Sequence, residues 1–368
     1  MLLLPKVYII VLNYKSWPDT LECLESLMKL TYPNYQVVVV DNQSPNSSWE
    51  SIQQWVRGEL KVNLPGTNPL LNLSLPAVPK PLPHVLLSRS DLKGNPARPV
   101  PGSLVLIDAE ENLGYSGGNN LGIEYALRDE ECTYVWILNN DTVVDPDALR
   151  FQVERMMTYE ARQQKIGIMG CKVMHYYQPA VIQGAGGSRL YKWIGYATGL
   201  GNGEADTGQY DVEQVAVDYI NGCSMFTSRN FIEQVGFLSE DYFLYFEEPD
   251  WAVRGRRAGK WELGYAWQAK IYHKEGASIG GGTHREKSSI SKFSDFYWAR
   301  SKILFTRKFY PYCLPTLYAG MSLALLNRIR RGQWDRVSML MRVMLDPSSR
   351  YPSSDQTSPI NTKSSHIK

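Results

Sequence analysis

A chain of 368 residues, 43% of them apolar, has material for one large folded domain plus an appendage, and its composition argues against a disordered chain. The 39 basic against 37 acidic residues leave a formal net charge of +2, so no global field points to nucleic acid as a partner. Cys23, Cys132, Cys171, Cys223 and Cys313 lack CxxC or ligand-like spacing, which fits a reducing, cytoplasmic compartment and no zinc or cluster site. The opening MLLLP is too short for a signal-peptide core, and no run of about 18 apolar residues reads as a membrane span.

Residues 7–12 (VYIIVL) are a continuous apolar run, the pattern of a strand buried on both faces, and they end in Asn13, Tyr14 and Lys15. Pro18 and Asp19 open a helix whose core face is Leu21, Leu24, Leu27 and Met28. Residues 36–40 (QVVVV) predict a second strand closed by Asp41 and Asn42, and strand–helix–strand at this spacing implies a right-handed parallel unit. A helix over 48–56 follows. Residues 58–102, rich in Pro, Leu, Asn and Ser without a sustained period, read as an insertion or long loop. Residues 104–107 (LVLI) resume as a strand. The stretch 111–122 (ENLGYSGGNNLG) then predicts a glycine-rich turn feeding a helix that continues through Leu121, Tyr125 and Ala126. It lacks GxGxxG spacing and does not follow the first strand, so a dinucleotide fingerprint matches poorly. Two readings stay open: a phosphate or sugar cradle at a helix amino terminus, and a tight turn that needs positive φ.

Residues 134–141 (YVWILNND) predict a buried strand running into Asn139, Asn140 and Asp141 at its carboxyl end, where open α/β sheets bind ligands. Asp145, Pro146 and Asp147 already supply the start signals of a helix over 146–159, which leaves Asp141 for another role. Residues 166–170 (IGIMG), loops through the Gly/Tyr-rich residues 184–210, and a strand–turn–strand over 215–227 around Asn221 and Gly222 come next. A further helix is capped by Ser228 and ended by Gly236.

The stretch 242–251 (YFLYFEEPDW) delivers three carboxylates before a helix that runs to Ala258 and stops at Gly259. Pro249 fits the first helical position, which makes Glu248 the cap residue and puts Asp250 in the first turn facing Arg254. Helix polarity alone accounts for Asp250. Glu247 and Glu248 sit at the rim of a core, where burial and a like-charged neighbour raise one carboxyl towards a general base's range. Residues 267–273 predict a strand ending on His273, which suits either a structural histidine or a metal site beneath a mobile lid at 278–284. An aromatic helix over 293–309 precedes an apolar stretch, 313–326, followed by Arg328, Arg330, Arg331, Arg336 and Arg342. These read as an interfacial amphipathic pair or as core helices with a solvated basic face. Residues from 346 on, rich in Ser and Pro, read as a disordered tail.

With these residues assembled, the chain resembles the family 2 inverting glycosyltransferases, in particular the rhamnosyltransferase-like branch. The resemblance spans roughly residues 7–278 and rests on VLNY at 11–14, VDN at 40–42, NLGYSGGNN at 112–120, LNND at 138–141, NGC at 221–223, FEEPD at 246–250 with Arg254, RAG at 257–259, and His273. It implies a GT-A (Rossmann-like) α/β fold over residues 1–290, a mostly parallel central sheet flanked by helices, with a helical extension at 291–345. By resemblance, Tyr14 and Asp41 receive the nucleotide base, and Asn112, Gly114, Gly117, Gly118 and Asn119 line the donor with Asn139 and Asn140. Asp141 corresponds to the metal-binding acid of a DxD-type motif whose first acid is here Asn139, and His273 to a histidine that completes the coordination of Mg²⁺ or Mn²⁺. Glu248 corresponds to the base, where relatives more often have aspartate, with Glu247 a second candidate; Asn221, Gly222, Asp250 and Trp251 line the acceptor side.

The implied donor is a dTDP- or UDP-sugar carrying rhamnose or another hexose. The implied acceptor is a glycan or lipid-linked hydroxyl in cell-surface polysaccharide synthesis at the cytoplasmic membrane face, and the basic helices are compatible with peripheral association there. Two other readings compete. A sugar nucleotidyltransferase needs a glycine-rich triphosphate loop that Asn13, Tyr14 and Lys15 do not supply. A non-catalytic carbohydrate-binding protein is favoured by Asn139 standing where an acid is expected and opposed by Asp141, Glu248 and His273. Oligomeric state is not written in the sequence.

Overall fold

The computed structural model describes residues 4–94, 102–274 and 291–351. Strand β1 (Lys6–Asn13) sends Val7, Ile9 and Val11 into one core and Tyr8 and Ile10 into another, which is why its sequence is a continuous apolar run. The first core is roofed by α1 (Trp17–Leu27), and β2 (Tyr35–Asp41) returns parallel to β1 with Asn13 opposite Asp41. Helix α2 (Ser48–Arg57) covers the same face and ends in a left-handed Gly58.

Of the expected insertion 58–102, the described residues 58–94 are more ordered than a loop. One-turn helix α3 (Leu71–Ser74), strand β3 (His84–Ser88) and one-turn helix α4 (Arg89–Leu92) precede β4 (Leu104–Asp108), and β3 pairs parallel with β4 to extend the sheet by one edge strand. β3 escapes the sequence reading because its residues are half-exposed and carry no clean alternation.

Helix α5 (Gly114–Leu127) starts earlier than expected. Gly117 and Gly118 lie inside the helix, so the glycine run is not the turn that feeds it. The reason is close packing on β1: a Cβ at Gly118 would stand 2.4 Å from Leu12 Cδ1, and one at Gly122 2.5 Å from Ile10 Cγ2. Strand β5 (Cys132–Asn139) runs parallel to β1, short β6 (Thr142–Val144) follows, and α6 (Ala148–Ala161) begins after Asp147, whose side chain makes no capping bond.

The Gly/Tyr-rich region expected to be loops contains strands as well as turns. After β7 (Ile166–His175) come β8 (Gln178–Ala185), β9 (Gly187–Tyr191) and β10 (Tyr196–Gly199), and β9 and β10 form an antiparallel hairpin that β11 (Tyr219–Ile220) joins on the other edge of β9. β12 (Ser224–Ser228) leads into α7 (Arg229–Val235), whose Ser228 cap accepts from the Phe231 amide as expected. Helix α8 (Glu247–Gly259) and β13 (Glu262–His273) complete the main body. Helix α9 (Lys292–Phe309), a short 3₁₀ turn over Pro311–Cys313, α10 (Leu314–Arg330) and α11 (Trp334–Leu345) form the carboxyl-terminal helices. No helix among the described residues is long and apolar enough to cross a membrane.

The main sheet has ten strands in the order β3-β4-β2-β1-β5-β12-β7-β13-β6, with β8 on β7. The five strands from β3 to β5 are all parallel; β12 runs antiparallel to its neighbours β5 and β7, and β6 is antiparallel to β13. One face packs on α1, α2 and α6, the other on α5, α7 and α8. This three-layer, mostly parallel α/β arrangement brings the ends of β1, β2 and β5 to one rim, and the polar loops meet there.

Candidate active site

A cavity of about 710 Å³ opens at that rim. The loop after β1 contributes Tyr14 and Lys15, and the loop after β2 contributes Asn42, whose amide donates to Asn112 Oδ1 at 3.0 Å and to the Gly114 carbonyl at 3.0 Å. Asn42 Oδ1 accepts from the Leu113 amide in return, so one side chain ties the end of β2 to the start of α5. Asn139, Asn140 and Asp141 line the floor. Asn140 is buried, with its amide on Thr20 Oγ1 at 2.9 Å.

Asp141 is buried, and its Oδ1 lies 3.1 Å from His273 Nε2. The other ring nitrogen, Nδ1, is 2.7 Å from Gln183 Oε1 on β8, so Gln183 orients the imidazole with Nε2 turned towards Asp141. Sequence order hides this contact, because 90 residues separate the two side chains. A carboxylate beside an imidazole fits a divalent ion that draws its remaining ligands from a diphosphate and water. Among the described residues no group of three or more His, Cys, Asp and Glu side chains converges on such a site. Residues 278–284, the expected lid, lie outside the described residues.

Across the cavity stand Glu247 and Glu248. Their placement differs from the sequence reading: α8 starts at Glu247 on a Phe246 cap with φ +72°, the Asp250 amide donates to the Phe246 carbonyl, and both glutamates therefore occupy the first turn, ahead of Pro249. Phe243 (φ +67°) and Tyr245 (φ +68°) are also left-handed, so three non-glycine residues in four store strain just before the pair. Aromatic packing from α9 holds them: Phe243 stacks on Tyr297 at 4.7 Å, Tyr245 meets Trp298 edge-on at 5.3 Å, and Phe246 lies 5.3 Å from Phe305.

Glu248 is half-buried and wedged against Gly222, where an added Cβ would come within 2.1 Å of its Oε1. Burial pushes the Glu248 carboxyl up to about 7, although the Glu248 and Gly222 amides pull it the other way. Glu247 is fully enclosed, and burial followed by repulsion from Glu248 pushes it well upward too. Gly222 is held by its carbonyl, which accepts from the Tyr115 hydroxyl at 2.6 Å, and Asn221 Oδ1 accepts from Ser188 Oγ at 2.6 Å. Tyr115, inside the NLGYSGGNN motif, lines the cavity, as do Gln183, Tyr219 and the hairpin residues Leu190, Ala197 and Gly199, which did not stand out in the sequence.

Other expected residues fall outside the cavity wall. Asp41 is buried behind it, accepting from Asn13 Nδ2 at 2.5 Å, Ser44 Oγ at 2.7 Å and the Ser44 amide at 2.9 Å, with burial pushing its carboxyl upward. Gly117, Gly118 and Asn119 are interior to α5, and Trp251 is buried with its Nε1 donating to the Gly236 carbonyl. Asp250 is buried in an ion cluster with Arg254 (2.5 Å), Lys308 (2.7 Å) and the Tyr242 hydroxyl (2.8 Å).

The fold and this rim define the class: a GT-A glycosyltransferase fold. A solved structure of GalNAc-T7 with UDP, GalNAc and Mn²⁺ shares that fold with a TM-score of 0.53 at 13% identity, over 96% of this chain and 59% of that one. A weaker likeness, with a TM-score of 0.47 and 14% identity over 93% and 87% of the two chains, is to the mannosyltransferase PcManGT from Pyrobaculum calidifontis in complex with GDP-Man and Mn²⁺.

In sequence, residues 8–64 and 98–194 match the model of Glycosyl transferase family 2, and the interruption falls within the insertion. The low-salt glycan biosynthesis hexosyltransferase Agl10 of Haloferax volcanii is 30% identical over 154 residues, 41% of this chain and 46% of that protein. The chain thus spans about half the length of the curated relative it matches. These matches support a glycosyltransferase.

Proposed function

We propose that this chain is an inverting, metal-dependent glycosyltransferase. It moves rhamnose or another hexose from a dTDP- or UDP-sugar to a hydroxyl of a glycan or lipid-linked acceptor. The observation that carries the reading is Glu248: a carboxyl held near neutrality, facing across one cavity the Asp141–His273 pair. The hexosyltransferase relative and the UDP- and Mn²⁺-containing structure of like fold support it.

Glu248 takes the proton from the acceptor hydroxyl as its oxygen bonds to the anomeric carbon, and the bond from that carbon to the diphosphate oxygen breaks on the opposite face. Configuration inverts, no covalent intermediate forms, and nucleoside diphosphate leaves. Asp141 and His273, the latter oriented by Gln183, would hold a divalent ion, which would supply charge neutralisation for the departing diphosphate. Tyr14, Lys15 and Asn42 flank the nucleotide end, and Tyr115, Asn221 and Gly222 keep Glu248 in place.

The test is a panel of nucleotide-sugars with and without Mn²⁺, read by thermal shift and by release of nucleoside diphosphate. Glu248→Gln is expected to lower turnover by about 10²- to 10⁴-fold while the donor still raises the melting temperature. In Asp141→Ala the Mn²⁺-dependent part of that shift disappears. A Glu248→Gln protein with near wild-type turnover removes Glu248 as the base, and a shift without diphosphate release points to a binding protein instead.

A further inference from the structure

The β9–β10 hairpin has two ends with different surroundings. At its base, Leu190, Ala197 and Gly199 line the cavity. At its tip, Tyr191, Trp193, Ile194 and Tyr196 are each at least half exposed. The tip is anchored on the carboxyl-terminal helices: Trp193 meets Tyr312 edge-on at 5.7 Å, and Thr316 Oγ1 donates to the Trp193 carbonyl at 2.6 Å. From Thr316 the outward face of α10 continues as Ala319, Leu323, Leu326 and Arg330, an exposed stripe at steps of three and four residues in which Leu323 is 68% exposed. A soluble helix normally turns charge outward at these positions, and here the only charge is at the end.

Charge decides what covers the patch. Residues 187–200 and 310–333 contain no Asp or Glu, in a chain with 37 acidic residues, but they carry Arg189, Lys192, Arg328, Arg330 and Arg331. Arg328 is paired with Asp295, whereas Arg330 and Arg331 are exposed beside the leucine stripe. Lys192 lies over the Tyr310 and Tyr312 rings at 5.3 and 5.6 Å. Trp and Tyr with apolar bodies and polar edges, ringed by long basic side chains, suit the boundary between headgroups and acyl chains. A second copy docking on the same face would set two basic rims against each other.

We infer that the hairpin tip and the outer face of α10 form one docking surface for an anionic lipid bilayer, with the cavity at the base of the same hairpin. The link from this surface to a lipid-linked acceptor rests on the transferase reading; the membrane contact does not.

The experiment uses the full chain with vesicles of phosphatidylcholine alone and with about a third phosphatidylglycerol, followed by co-sedimentation and Trp fluorescence. Wild type is expected to favour the anionic vesicles and to lose binding as salt rises. Trp193→Ser combined with Leu323→Ser and Leu326→Ser should lower partitioning at least about tenfold. Lys192→Glu combined with Arg330→Glu should cost about fivefold per residue on anionic vesicles and little on neutral ones. Trp193, Leu323, Leu326 and Arg330 are exposed and Lys192 is half-exposed, and the melting temperature reports how much the contacts of Trp193 and Lys192 with Tyr312 hold the tip. None of them lines the cavity, so the Mn²⁺-dependent nucleotide-sugar shift stays as in wild type. That shift reports on the transferase reading separately: its absence with vesicle binding intact would remove the transferase and leave the surface. No vesicle binding, binding indifferent to the substitutions or to lipid charge, or a self-associated species that the Trp193 combination disperses, would each overturn the proposal.

Discussion

Glu248 and Gly222 act as one unit. The glycine leaves the space that the carboxylate fills, so Gly222→Ala is expected to push Glu248 aside and lower turnover by about 10²-fold or more while nucleotide-sugar binding persists. Unchanged turnover in a steady-state assay would show that the wedge has no role. The raised carboxyl has two pH signatures. With Glu248 as base, kcat/KM climbs with pH through about 7 and then levels. For stability the sign is opposite: between about 4.5 and about 7 the folded protein holds a proton that the unfolded chain has released, so stability falls as pH rises through that window. Glu248→Gln should flatten this decline and melt above wild type at pH 8, as differential scanning fluorimetry would read; a variant that melts lower there sinks the assignment. At Gln183, replacement by Ala frees the His273 ring, and Mn²⁺ affinity measured by calorimetry is expected to fall about 10- to 100-fold.

At the scale of elements, the start of α8 depends on α9. Lys308 near the end of α9 and Arg254 inside α8 converge on Asp250, and Ser301 Oγ donates to the Leu244 carbonyl in the strained turn. Replacing Asp250 by Ala leaves two cations facing a buried gap, so a loss of about 3–5 kcal/mol is expected in urea unfolding, together with lower turnover. A loss below about 1 kcal/mol would mean that the cluster is ornamental.

Elements buried on both faces were legible in the sequence, because continuous apolar runs such as that of β1 admit few other readings. So was the meeting of Tyr14, Asn139, Asn140 and Asp141, which follows from parallel strands ending together. The helix start was not: placing aromatic residues at positive φ contradicts local preference and is enforced by ring packing from α9, a helix distant in sequence. The β9–β10 hairpin was missed for a related reason: β9 begins on two adjacent buried residues, Gly187 and Ser188, and β10 buries none of its residues, so neither shows alternation.

Over the whole molecule, the family match is interrupted between residues 64 and 98, and within that interruption residues 78–80 are pinned down. Glu25 on α1, fully buried, accepts from Trp55 Nε1 at 2.9 Å, the Val78 amide at 2.8 Å and Lys80 Nζ at 2.7 Å. Glu25→Ala should release residues 64–80, read as faster cleavage there in limited proteolysis; an unchanged digestion pattern would show that the strap is held elsewhere. At the far end, Tyr351 packs on Phe293 and Phe296, and residues 352–368, the rest of the expected tail, lie outside the described residues.

One turn before Glu25, Glu22 joins three distant parts of the chain: Asn68 of the insertion at 2.9 Å, the Tyr176 hydroxyl at 2.6 Å, and Lys274 at 2.6 Å. Lys274 follows His273, and its amide donates to the Asp141 carbonyl at 3.0 Å. The insertion and the Asp141–His273 pair therefore hang from the same carboxylate. A change in the insertion that disturbs Asn68 therefore reaches the Asp141–His273 pair through Glu22 and Lys274, two hydrogen bonds away.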